Sequence, residues 1–333
     1  MFIVKDYSLA VLLCVVTMLC WGSWGNTQKL AEKKWRFELF YWDYVIGIFA
    51  LSLISALTLG SVGEGGRSFV LDLQQADQKS IINALIGGTV FNAANILLSA
   101  SIAITGMSVA FPVGIGIALV LGVLVNYMGA QTGNPQYLFA GVLLVVMAIL
   151  LNASAYNTKE KGQRTTSAKG IVLSIVAGVL MAFFYRFVAS SMDLENFSSP
   201  AVGKMTPYTA FFIFAIGVLL SNLLLNTIII KKPFVGEATS YKDYFQGGIR
   251  NHITGICGGI IWGIGNAFNL IAAGKAGAAI SYGLGQGATL VAAMWGVFVW
   301  KEFKGSGKRV NMQLTWMFIC FILGLVLIII AGQ

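Results

Sequence analysis

Aromatic rings and side-chain amides recur along this chain at helical spacing, a combination suited to recognising neutral polar molecules. Trp262, Asn266 and Asn269 follow at intervals of four and three, which places them on one side of a helix. Tyr282, Gln286 and Thr289 repeat that spacing among Gly283, Gly285 and Gly287, and Phe91, Asn92 and Asn95 form a third group. Trp21, Trp24 and Gln28 share a face in CWGSWGNTQKL, with Trp21 the deeper ring. A flat ring packs on the C–H face of a sugar or stacks on a planar heterocycle, while an amide both donates and accepts. An amide buried without a partner costs on the order of 1–3 kcal/mol, so these groups bond either to neighbouring helices or to a ligand. The bland alternatives are an interfacial belt for Trp24 and Gln28 and close helix packing for the glycines.

Formal charges are scarce within the apolar runs. Asp43 lies beside Tyr41, Trp42 and Tyr44, and Arg186 follows Phe183, Phe184 and Tyr185. An ionisable group at membrane depth is a functional candidate by default. Asp43 is expected either to carry a coupling proton or to pair with Lys33, Lys34 or Arg36. Arg186 is expected to meet Asp193 or Glu195, as a gate or a tether. His252 and Lys275 fall at helix ends, where solvation is expected.

Other chemistries find no support in the residues. Cys14, Cys20, Cys257 and Cys320 have neither C-x-x-C spacing nor a histidine cluster, so no metal is expected. No nucleophile–base pair marks an enzyme, and no cofactor motif is present. A multidrug or cation exporter would want an acidic residue deep in the cavity, where Asp43 is the sole candidate. A channel would want a repeated charged ring.

The elements that must position these groups are membrane helices. Of 333 residues 57% are hydrophobic and 11% charged, with a mean hydropathy of +0.79, against roughly 25% charged in soluble domains. A span needs roughly 20 mostly apolar residues. Ten such runs fall near 8–28, 39–60, 82–104, 107–128, 136–155, 169–190, 207–229, 252–274, 279–300 and 313–331. The first reads as a retained helix, since it continues into a charged loop without a cleavage signature. The fold expected is an all-α polytopic membrane protein.

The chain also repeats itself. Shifting GGTVFNAANILLSASIAITGMSVAFPVGIGIALV by 171 residues lays it without gaps on GGIIWGIGNAFNLIAAGKAGAAISYGLGQGATLV. Gly88 then meets Gly259, Asn95 meets Asn266, Gly106 meets Gly277 and Gly116 meets Gly287. Spans three and four recur as eight and nine, so each copy has five spans. An odd number turns the second copy over, giving two inverted five-helix repeats over 1–160 and 161–333, with a polar linker near Lys161.

Charge orients the bundle. Sixteen of the 22 Lys and Arg residues fall after spans one, five, seven and nine: Lys29, Lys33, Lys34 and Arg36; Lys159, Lys161, Arg164 and Lys169; Lys231, Lys232, Lys242 and Arg250; Lys301, Lys304, Lys308 and Arg309. Short cationic loops point to the cytoplasm, so both termini are expected outside. The net charge of +9 is spread over loops and gathers on no single face, which argues against nucleic acid. A cell-membrane location is expected, the inner membrane in a bacterium, as monomer or homodimer in the bilayer.

The stretch CWGSWGNTQKL followed by KWRFELFYWDYVIG resembles the ureide permease and glucose/ribose porter branch of the drug/metabolite transporter superfamily. The resemblance implies secondary active transport of a small neutral metabolite, with the proton as coupling ion and no other cofactor. Import of a monosaccharide such as ribose or glucose is the leading expectation, and a ureide, nucleobase or nucleoside permease the alternative. Plant ureide permeases carry a long central loop with a nucleotide-binding-like motif. This connector is short and lacks G-x-x-x-x-G-K-[ST], so ATP coupling is not expected.

Overall fold

A computed structural model describes residues 1–32, 34–63, 65–105, 107–159 and 167–333, with backbone alone at 107, 108, 111 and 112. The described chain is helical, without strands. The spans are α1 (Tyr7–Ser23), α2 (Phe37–Leu57), α4 (Gln78–Thr105), α5 (Met107–Gly129), α6 (Pro135–Lys159), α7 (Ala168–Ser190), α8 (Pro207–Lys231), α10 (Ile249–Ala276), the pair α11 (Ala278–Gln286) and α12 (Ala288–Met294), and α13 (Lys308–Ile330). Short helices α3 (Phe69–Gln75) and α9 (Tyr241–Phe245) lie between spans. Local chemistry starts several of them. Asp6 accepts the Leu9 N–H at 2.8 Å, Thr206 precedes Pro207 in the first turn of α8, and Ser240 with Asp243 forms a capping box on α9.

Among the described residues nine helices are long and apolar enough to cross a membrane, and 113–129 adds a shorter apolar helix. Side chains follow the lipid rule. Leu19, Leu143, Leu150, Leu224 and Ile322 are exposed, while Asn92, Asn222, Asn266 and Asn269 are buried. The loops sort to two ends. At one, the Met1 ammonium donates to the Gly65 carbonyl and the Asn134 N–H to the Ala331 carbonyl, both at 2.6 Å. At the other, Arg250 Nε donates to the Leu30 carbonyl at 3.1 Å and Lys29 pairs with Glu302. Both termini therefore share the α3 end, and the loops after spans one, seven and nine share the α9 end with the last residue of α6, Lys159, which donates to the Glu302 carbonyl.

The helix pairing repeats on exchange of the two halves. α4 packs on α7 and α8 as α10 packs on α1 and α2, and α6 pairs with α13. The closest backbone approaches exchange too. A Cβ on Gly88 would overlap the Phe214 carbonyl oxygen, and one on Gly259 the Tyr44 carbonyl oxygen. Lipid tails are as apolar as leucine, so helices gain from each other chiefly by such approach. A single residue links α10 to α11. Gly277 takes φ +79, the left-handed region, with Thr132 against its α-carbon. Gly106, its counterpart, lies outside the described residues, as do the boundary at Lys161, and Lys33 and Arg164.

Two spans differ from the continuous helices expected. α1 stops at Ser23 and continues as two 3-10 turns, Trp24–Asn26 and Gln28–Leu30. The ninth span breaks at Gly287 and ends in a π-helical turn, Trp295–Val299. Interrupted helices free backbone groups at membrane depth, and here the break follows Gln286 directly.

Candidate substrate site

Trp262 is the centre of an aromatic cluster drawn from both halves. Its indole stacks on Trp21 with centroids 5.8 Å apart and planes 10° from parallel. Phe91 lies 4.4 Å away, Phe214 6.1 Å and Tyr44 6.4 Å. α1 can bring Trp21 in because α10 and α11 offer glycines: a Cβ on Gly265 would sit 2.7 Å from Trp21 Cδ1, and one on Gly285 2.7 Å from Cζ3. The expected slots between small residues exist, and a tryptophan fills them.

Around these rings lies a set of buried polar atoms without hydrogen-bond partners among the described residues: Trp21 Nε1, Tyr44 Oη, both Asn266 amide atoms and Asn269 Oδ1. Each such group costs about 1–3 kcal/mol, a penalty that a ligand supplying donors and acceptors offsets. The set holds donors and acceptors and no formal charge. Asn266 is 1% exposed, and Asn269 is fixed by one bond from Nδ2 to the Ser281 carbonyl at 2.8 Å.

The α4 amides behave differently from their α10 counterparts. Tyr41 Oη donates to Asn92 Oδ1 at 3.0 Å, Asn95 Nδ2 donates to Tyr41 Oη at 3.2 Å, and Asn92 Nδ2 donates to Ser221 Oγ at 3.0 Å. Asn92 and Asn95 thus pin α2, α4 and α8 together, so that of the repeat-related pair Asn95 is engaged while the Asn266 amide has no partner among the described residues. Tyr282 is likewise a strut, since its hydroxyl donates to the Ala118 and Met181 carbonyls at 3.1 and 3.2 Å. Gln286 stays beside the helix break, 7% exposed.

The charged candidates lie away from this cluster. Arg186 packs at the last turn of α5, where a Cβ on Gly129 would overlap its guanidinium. A cation suits that carbonyl-rich helix end. Asp193, its expected partner, instead accepts the Glu195, Asn196 and Ala201 N–H groups. Asp43 is 2% exposed, and among the described residues its partners are a histidine and a tyrosine: His252 Nδ1 stands 3.0 Å from Oδ2 and Tyr244 Oη donates to Oδ1 at 2.7 Å. Arg36 is taken by Glu38 at 2.7 Å. His252, expected in solvent, lies in the first turn of α10 on the side that meets α2. Burial, then the bond to Asp43, raises the Tyr244 phenol pKa above its usual value, so it remains a donor.

Residues missed from sequence are Tyr41, Tyr44, Phe184, Phe214 and Ser221. Two of them are related by the structure alone: Tyr44 and Phe214 stand in equivalent contacts against Gly259 and Gly88, outside the stretch that the 171-residue shift aligns.

Comparison with known proteins agrees with this architecture. The family model described as ureide permease matches residues 40–169 and 161–331. Ureide permease 1 of Arabidopsis thaliana is 23% identical over 378 residues, covering 97% of this chain and 96% of its own. Glucose uptake protein GlcU of Bacillus subtilis (strain 168) is 27% identical over 240 residues, 70% of each chain. A solved crystal structure shares the fold, with a TM-score of 0.63 at 15% identity over 97% of this chain and 99% of its own. The chain belongs to the ureide permease family, whose members are membrane transporters of small metabolites and not enzymes.

Proposed function

We propose that this protein is a proton-coupled secondary transporter that imports a small neutral polar metabolite, a monosaccharide such as glucose or ribose, through the Trp21–Trp262 site. The carrying observation is the uncharged set of unpaired donors and acceptors beside the stacked indoles. Hydroxyls of a pyranose or furanose match Asn266 and Asn269, and its C–H face suits an indole. The kinship with a glucose uptake protein supports this reading. The second reading, a ureide or nucleobase, is favoured by the near full-length likeness to plant ureide permeases and uses the same rings and amides.

In this proposal the two five-helix halves, 1–160 and 161–333, rock about the site, with the α9 end and its cationic loops in the cytoplasm and both termini outside. Thermal unfolding of the purified protein with ribose, glucose, rhamnose, allantoin, uracil and a lipophilic cation tests it, because a ligand of the folded state raises Tm. A shift with sugars alone is expected. A shift with allantoin or uracil alone promotes the second reading, and one with the cation alone overturns both.

A further inference from the structure

The Asp43–His252 contact sits at the α9 end, remote in sequence and distinct from the aromatic site. We propose that it is a proton-binding site: His252 exchanges a proton through Nε2 while the Asp43 carboxylate on Nδ1 balances the charge. The proposal rests on the proton-coupled reading above.

The geometry gives the imidazole two unlike sides. Nδ1 faces both carboxylate oxygens, at 3.1 and 3.0 Å, whereas Nε2 points toward Gly247 in the loop, where a Cβ would sit 3.0 Å from it. The His252 side chain is 20% exposed and Asp43 is 2% exposed. The outer nitrogen therefore meets the loop end and the inner one the buried acid. Protonation at Nε2 takes the pair from a net charge of −1 to zero. A buried carboxylate with a cationic partner is less costly than one with neutral donors alone, so proton binding favours the closed packing of α2 on α10 and proton release favours its opening.

The opposite end supplies a control. α3 follows the second span as α9 follows the seventh, and it too is held by a buried acid: Asp72 accepts Arg67 Nε at 2.9 Å and the Thr206 N–H at 2.7 Å. A guanidinium keeps its proton, so of these two straps the α9 strap is the one that carries an imidazole able to exchange one. Among the described residues the titratable groups facing His252 are Asp43 from α2 and Tyr244 from α9, with the Trp35 ring edge-on at 5.4 Å. Four described charges of this end have other partners: Arg36 with Glu38, Glu32 with Asn251, Arg250 with the Leu30 carbonyl, and Asp243 in the α9 cap.

The sequence contains one histidine, so 15N-imidazole labelling of the full chain in nanodiscs reads His252 alone. The expected result is a single protonation transition, with proton affinity about tenfold weaker in Asp43→Asn because the carboxylate no longer faces Nδ1. A resonance that does not titrate, or a midpoint unchanged in Asp43→Asn, overturns the site whichever solute is carried. In proteoliposomes, uptake of labelled glucose and allantoin is then compared with and without a proton gradient. Wild type is expected to be stimulated, and His252→Gln to lose the stimulation while retaining solute exchange at equal pH. Equal stimulation in both overturns the site and leaves proton coupling standing, whereas a wild type indifferent to the gradient overturns the coupling reading itself.

Discussion

Phe91 and Trp262 occupy equivalent positions 171 residues apart, and their ring centroids lie 4.4 Å from each other. Residues related by a two-fold operation touch only where they flank its axis, as in an isologous interface. The aromatic cluster therefore sits where the repeat-related helices meet.

The paired close approaches predict paired sensitivity. Gly88→Ala and Gly259→Ala each put a Cβ against a backbone carbonyl oxygen that only a helix shift can move away. Each is expected to lower stability by about 1–3 kcal/mol, read as a fall in Tm, because overpacking strains both helices. An unchanged Tm in either variant would contradict the packing described.

The two equivalent asparagines are expected to part company. Asn95→Ala removes the bond from Nδ2 to the Tyr41 hydroxyl, which keeps its bond to Asn92, and should cost about 0.5–1.5 kcal/mol of stability. Asn266→Ala removes an amide that has no partner, so Tm should hold or rise while uptake falls at least tenfold. Normal uptake kinetics in Asn266→Ala, with the protein in the membrane, would reduce this residue to packing.

Trp21→Phe separates ring from donor. The stack on Trp262 persists in part and the buried Nε1 is removed, so KM should rise about three- to tenfold, the worth of one hydrogen bond, with little change in Tm. Trp262→Ala, which empties a position touching four rings, should cost about 3–5 kcal/mol and abolish uptake.

Outside the membrane, Asp77 carries a pH-dependent contribution of known sign. The Ser80 N–H, bonded to Oδ1 at 2.6 Å, holds the exposed Asp77 carboxyl below its usual range. A depressed folded pKa gives stability that is present above the unfolded value of about 3.9 and is lost as pH falls through the folded one. Asp77→Asn should flatten the acid limb of the Tm-against-pH curve, and an identical curve would remove the cap from the account.

Much of this protein is legible in its sequence. Apolar run length gives the spans, the 171-residue shift gives the repeat, and loop cations sort the ends, because each is a local property of chain in lipid. The four-and-three spacing of Trp262, Asn266 and Asn269 marks a face of α10. Spacing reports which residues share a face and is silent on what that face meets. Only the tertiary structure pairs Asp43 with His252, 209 residues away, fills the glycine slot of α10 and α11 with Trp21, and breaks the ninth span at Gly287. It also decides that Asn95 bonds to Tyr41 while the Asn266 amide has no partner among the described residues. The reason is that hydrogen bonding and ring contact depend on how closely two backbones approach, and that distance is set by the side chains of both helices at once.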